Sequence, residues 1–512
     1  MHWLDLSVLI LYAGLLIGLG FYRSKESGKD PEEYLLAGRK LSLPGFVATL
    51  VATWYGGILG IGENTYAYGL QTWFILGFPY YVFAVLYAFF IAGRINKIRC
   101  ISLPDQFHKR FGKTAGIISA IYILVLASPA PYILSIGILL QFTTGLSLAF
   151  SLIIAVGVSL SYIWLGGFKA VVRTDLLQFG FMFLGFILLL IFSMKSAGTF
   201  SEAANHLPET HLTLTGGASF QYILVWFFIA LWTFVDPGFY QRCAAAKSPK
   251  TAQNGILISI GFWFIFDILT ISTGLYAKAL LSTGDPLFAY PRLGAMVLPP
   301  LAYGIFITGL LSTIMSTIDS LGLISAITFG RDIIWRIQTP ANSDQKSWTN
   351  ASNGLVRKGL VVTGLIALGL AVSIPSVVKL WYVLGSILVP GLVLPFFLSF
   401  SSKRLSGSDI IAIMILPVLI SIIWTISGKI MDGYPLNLEP FYPGILTSGL
   451  IYGLKVTQGL GIASLIIENL GIASLTILMI FRIEGHLLLV VITIYIFANF
   501  FANRHLEKDK ED

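Results

Sequence analysis

Three of the hydroxyl side chains in the apolar run Thr313-Ile314-Met315-Ser316-Thr317-Ile318-Asp319-Ser320 stand out: Thr313, Ser316 and Thr317. Their i, i+3, i+4 spacing puts them on one face of a helix. Two hydroxyls and a freed main-chain carbonyl are hard oxygen ligands without full charge, a set that suits Na⁺. Further ligands can be carbonyls from a broken helix, such as Ala52 and Tyr55 in Ala52-Thr53-Trp54-Tyr55-Gly56-Gly57. The competing use of the hydroxyls is structural, because Ser and Thr in membrane helices also bond back to their own helix or pack against neighbours.

Carboxylates in apolar runs are the second group able to do chemistry, since charge in a membrane span is costly and usually functional. Asp319 lies about 60° around the helix from Ser316. Asp175 follows Thr174 at the expected start of a span, where a Thr-Asp pair also makes a good N-cap. Asp236 precedes Pro237-Gly238. It faces a solute in one reading, favouring an amino or other cationic group or several hydroxyl donors, and caps the next half-helix in the other. The histidines His2, His108, His206, His211, His486 and His505 show no metal-ligand spacing. No phosphate-binding loop or nucleophile elbow occurs, so we expect no enzyme.

Positioning such groups takes a membrane bundle. The chain has 512 residues, 56% hydrophobic and 11% charged, against about 25% charged in soluble proteins. Continuous apolar runs near 20 residues long are helices, not barrel strands. We read spans near 4–22, 43–61, 71–95, 115–142, 147–165, 175–196, 219–240, 253–281, 297–335, 356–374, 377–400, 408–426 and 440–457. The polar stretch 338–353 is the one long cytoplasmic loop.

The net charge of +8 reports orientation and no nucleic-acid partner. With the N-terminus outside, inner loops hold residues such as Arg94, Lys97, Arg99, Arg242, Lys247, Lys250, Arg357 and Lys358. Outer loops hold only Lys195, Lys278, Arg292, Lys379 and Lys429, as the positive-inside rule requires. Cys100 and Cys243 fall in the same inner loops and are reduced bystanders. Asp5 and the lack of a basic leader make the first run a retained helix and not a signal peptide.

Residues 1–457 form one transmembrane domain with a core at about 43–426, and 458–512 an additional hydrophobic tail with a charged end. The tail repeats LGIASL at 460–465 and 470–475 and adds one or two spans. The second and seventh spans are interrupted by Gly56-Gly57 and by Pro237-Gly238. Interrupted helices five spans apart point to a midplane site between two inverted halves.

Several segments now carry a resemblance. They are Glu33-Tyr34-Leu35-Leu36-Ala37-Gly38-Arg39, then Ser102-Leu103-Pro104-Asp105-Gln106-Phe107 with Arg110-Phe111-Gly112. Leu165-Gly166-Gly167-Phe168-Lys169-Ala170-Val171 follows, with Thr174-Asp175 and Gln178, and then Met315-Ser316-Thr317 with Asp319-Ser320. Over roughly 1–457 the chain resembles the sodium:solute symporter family, which includes sodium/proline, sodium/pantothenate and sodium/galactose carriers. The resemblance implies an all-α membrane protein of LeuT type. Two inverted five-helix repeats occupy spans two to eleven, with flanking helices that bring the count to about 13.

It also implies Na⁺ as coupling ion, held by Ala52, Tyr55, Thr313, Ser316 and Thr317, with Asp175 at the inner mouth as an ion-release group or second site. Thr313 stands where several members have Ala, which leaves its carbonyl ligand intact. The implied function is uptake of a small organic solute across the inner (plasma) membrane by alternating access. The alternatives are proton coupling through Asp175 or Asp319, a membrane sensor and a passive channel. Proline carriers have an acid where this chain has Trp54, and Gln where it has Asp236. The expected solute pocket is Trp54, Tyr55, Ile58, Trp232, Thr233 and Asp236.

Overall fold

The computed structural model describes residues 2–21, 31–163, 167–281, 283–339, 348–401 and 405–457. Among these the structure is helical, with no strand beyond one isolated bridge between Leu41 and Ala246. Nine helices are long and apolar enough to cross a membrane, or ten when Leu43–Trp54 and Ile58–Tyr68 count as one span bent by 55°. Helices also lie at the other three expected places, Trp3–Phe21, Leu148–Ile163 and Phe441–Thr457. The expected tail spans fall outside the described residues.

The bend forms where the sequence stops supporting a helix. After Trp54 the chain unwinds through Tyr55 and restarts after Gly57. A side chain at Gly56 would sit 2.4 Å from Thr317 Cβ and Oγ1, so only glycine lets the turn lie against that helix. The Phe220–Ala245 span breaks at the turn Ala230–Leu231 and again at Asp236, which is extended at φ −68°, ψ 119°. Pro237 forces this second break, since the residue before a proline avoids the helical region.

Five boundaries differ from the sequence reading. The second span extends to Tyr68, seven residues beyond 61. The sixth span runs Gly167–Ala197, starting eight residues before 175. Thr174 does not cap it, because its hydroxyl bonds back to Ala170 and Val171 carbonyls. The seventh span reaches Ala245, so Arg242 and Cys243 lie in a helix and not in a loop. The ninth starts at Ala302 and runs to Gln338, and a separate short helix, Ala289–Val297, precedes it. The tenth begins at Trp348, which shortens the polar loop; its residues 340–347 are outside the described residues.

Packing sets the site helices in register. Gly167–Ala197 and Ala302–Ile327 run against each other, and a Cβ built on Gly309 would lie 2.7 Å from the Phe181 carbonyl oxygen. Such small-residue contacts let membrane helices approach closely. Asp5 accepts from Leu301 N and Gly304 N at 2.9 and 3.0 Å, so the first helix caps the one that carries the hydroxyls. Leu41 exchanges main-chain bonds with Ala245 and Lys247, tying together the ends of the two interrupted spans.

Candidate ion and solute site

The hydroxyl face of Ala302–Ile327 meets the end of the broken helix. Thr317 Oγ1 donates to the Thr53 carbonyl at 2.7 Å and approaches the Thr313 carbonyl at 3.3 Å. The last carbonyls of a helix have no intrahelical partner, and here one is met by a side chain of another span. Ala52 and Tyr55 flank Thr53 in the same unwinding turn. Thr313, Ser316, Thr317 and Ser320 are all buried. Thr313 Oγ1 bonds back to Gly309, as the structural use of these hydroxyls required, so what Thr313 offers this site is its carbonyl.

Asp175 sits two turns inside its helix, fully buried. Its Oδ1 accepts from Ser316 Oγ at 2.6 Å and its Oδ2 from Thr49 Oγ1. Both carboxylate oxygens are thus held by hydroxyls from two other spans. The capping role considered for Asp175 does not occur. Asp236, by contrast, is a cap: its Oδ1 accepts from Phe239 N at 2.8 Å.

Sequence reading missed Arg242. Its guanidinium is fully buried, and Nη2 lies 2.7 Å from Thr53 Oγ1, 2.9 Å from Ser320 Oγ, 2.9 Å from Thr49 Oγ1 and 3.2 Å from Thr49 O. Nη1 donates to Gly238 O at 3.2 Å. Through Thr49 this cation is one hydroxyl away from Asp175, which offsets part of the cost of burying both charges.

Beside these groups lies a cavity of about 110 Å³. Of the expected solute residues, Trp54, Tyr55, Trp232, Thr233 and Asp236 line it, together with Thr53 and Arg242. Ile58 does not, because the bend turns it into the packed interior, where it is fully buried. Asp267 also lines the cavity and was missed, although the rule that picked out Asp175 applies to an aspartate inside Pro249–Leu280. It accepts from Tyr55 OH at 2.8 Å and from Tyr81 OH.

A helix broken opposite a hydroxyl-bearing helix, beside a cavity inside a bundle, is the build of a secondary transporter. The chain belongs to the sodium:solute symporter family, whose model matches residues 34–417. It is 26% identical over 397 residues to a sodium/proline symporter of Staphylococcus aureus (strain JH9), covering 72% of this chain and 75% of that one.

Two solved structures share the fold. One is a substrate-bound, outward-open Na⁺-coupled sialic acid symporter (TM-score 0.72, 16% identity, 90% of this chain and 98% of that chain). The other is a nucleobase-cation-symport-1 family transporter in a closed conformation with bromovinylhydantoin bound (TM-score 0.55, 14% identity, 82% and 93%). The chain is therefore a multi-pass membrane transporter with Na⁺ as coupling ion, and not an enzyme.

Proposed function

We propose that the chain carries a small organic solute into the cell together with Na⁺ by alternating access, across the plasma membrane. The ion is held by carbonyls of Ala52, Tyr55 and Thr313 and by the hydroxyls of Ser316 and Thr317. The observation that carries this is the 2.7 Å bond from Thr317 Oγ1 to the Thr53 carbonyl, which joins the unwound turn to the hydroxyl helix. A hydroxyl with one proton and two lone pairs can turn from that carbonyl to a cation. Asp175 faces the ion through Ser316 and acts in ion release or as part of a second site. The solute occupies the cavity at Trp54, Tyr55, Trp232, Thr233 and Asp236. Thirteen spans, with the N-terminus outside and residues 1–457 as one domain in the bilayer, complete the reading.

The relatives named for proline do not fix the solute, since Trp54 and Asp236 depart from the residues that proline carriers resemble one another in. Uptake into proteoliposomes with and without a Na⁺ gradient tests the proposal. Accumulation only with inward Na⁺ supports it. Accumulation driven by a pH gradient without Na⁺ means proton coupling, and equilibration without accumulation means a channel; either overturns it.

A further inference from the structure

We infer that the cavity is built for an alkylammonium solute, a small cation whose charge is wrapped in methyl or methylene groups. The inference rests on reading this cavity as the solute site. A third of the residues lining it carry aromatic rings, against 14% of the chain.

Six of these eight rings, Trp54, Tyr80, Tyr132, Trp232, Phe239 and Trp381, come from five separate spans. Trp54 meets Tyr80 and Phe239 edge-on at 5.2 and 5.7 Å between centroids. Two of the rings sit on the break itself. A Cβ on Gly56 would lie 2.6 Å from the Tyr132 ring, and one on Gly57 would lie 2.1 Å from the Trp381 indole. The glycines that break the helix are therefore also what lets these rings close over it. Aromatic faces attract cations, and wrapped ammonium groups are the ligands that cages of such rings recognise.

The charges of the wall agree. The lining holds two carboxylates, Asp236 and Asp267, and one cation, Arg242. Arg242 is turned to the Thr49, Thr53 and Ser320 oxygens and to the Gly238 carbonyl. The lining groups carry a net charge of about −1 with these groups ionised, a charge that a monovalent cation in the cavity offsets. Thr233 Oγ1 is buried and has no hydrogen-bond partner among the described residues, leaving a hydroxyl for a polar tail.

The test compares choline with 3,3-dimethylbutan-1-ol, which has the same shape but carbon in place of nitrogen. Binding to the purified full-length chain is followed by tryptophan fluorescence and by thermal shift, in Na⁺ buffer. Choline is expected to bind at least tenfold more tightly than the alcohol. Trp381→Leu and Asp236→Asn should each weaken choline at least tenfold. Trp381→Phe, which keeps a ring, should retain most of it and control for misfolding. Equal affinity for the two compounds overturns the inference, as does no response to choline or tetramethylammonium in a chain that takes up a neutral solute with Na⁺. Choline binding without Na⁺-driven uptake upholds the cage and instead sinks the symport reading.

Discussion

Ser316 Oγ donates to Asp175 Oδ1 at 2.6 Å, joining two long helices at the level of the helix break. A serine hydroxyl gives one proton and keeps two lone pairs. With its proton drawn toward a buried carboxylate, the oxygen is a more negative ligand for a cation on its other side. The same bond thus holds Asp175 in place and prepares Ser316 for Na⁺.

Asp175→Asn separates charge from shape. Asn keeps an acceptor for Ser316 but withdraws the negative charge. We expect weaker Na⁺ activation and slower turnover, with the amount of folded protein preserved. Uptake kinetics that match the parent at every Na⁺ concentration would leave Asp175 a purely structural residue.

Arg242→Gln should destabilise the protein strongly, on the order of 3–5 kcal/mol, because it leaves a buried carboxylate without its nearby cation. Adding Asp175→Asn should recover part of that loss. Thermal melting in detergent of both single variants and the double gives the coupling between them. Losses that simply add would show that the two charges do not interact through Thr49.

Gly56→Ala places a methyl group against Thr317, where 2.4 Å is available. The expected result is a several-fold rise in the Na⁺ concentration for half-maximal uptake, larger than for Ala at the open position Gly14. Equal behaviour of the two variants would remove the close approach from the ion site.

Much of this was legible in the residues. The i, i+3, i+4 hydroxyls and the Gly-Gly break are local patterns, and the chain brings them together through Thr317 and Thr53. Arg242 was not legible, because a basic residue near an inner helix end scores as a loop residue. Only the fold shows that Thr49, Thr53 and Ser320 surround it. Asp175 was misplaced because Thr174-Asp175 looks like a cap, whereas the helix already starts at Gly167. Tyr132 and Trp381 were invisible for another reason: in an apolar chain, aromatic residues are background until packing selects the few that face the cavity.

A pH effect is expected at Asp105, in the short helix Leu103–Phe111 outside the spans. Burial alone would push the Asp105 carboxyl up, but Arg331 and Arg336 outweigh it and hold the group at about 2 instead of 3.8. Arg336 Nη2 lies 2.9 Å from Asp105 Oδ1, and Arg331 Nη2 lies 3.2 Å from it; Arg331 Nη1 also donates to Asp332. A lowered carboxyl stabilises above its unfolded value and loses that contribution as pH falls through the folded one. Asp105→Asn should therefore cost about 2 kcal/mol above roughly pH 4, with the difference shrinking toward pH 2. Melting curves of both proteins across that range check it. A gap that stays constant down to the acid limit would contradict it.

The most direct measurement is Na⁺ activation of uptake in proteoliposomes carrying Ser316→Ala with Thr317→Ala. Each lost ligand should cost on the order of 1–3 kcal/mol, so the half-saturating Na⁺ concentration should rise at least tenfold. Thr317→Ser, which keeps the hydroxyl, should stay near the parent, and all three proteins should be recovered folded in similar amounts. A double variant with the parent's half-saturating Na⁺ concentration would contradict the ion site at its centre.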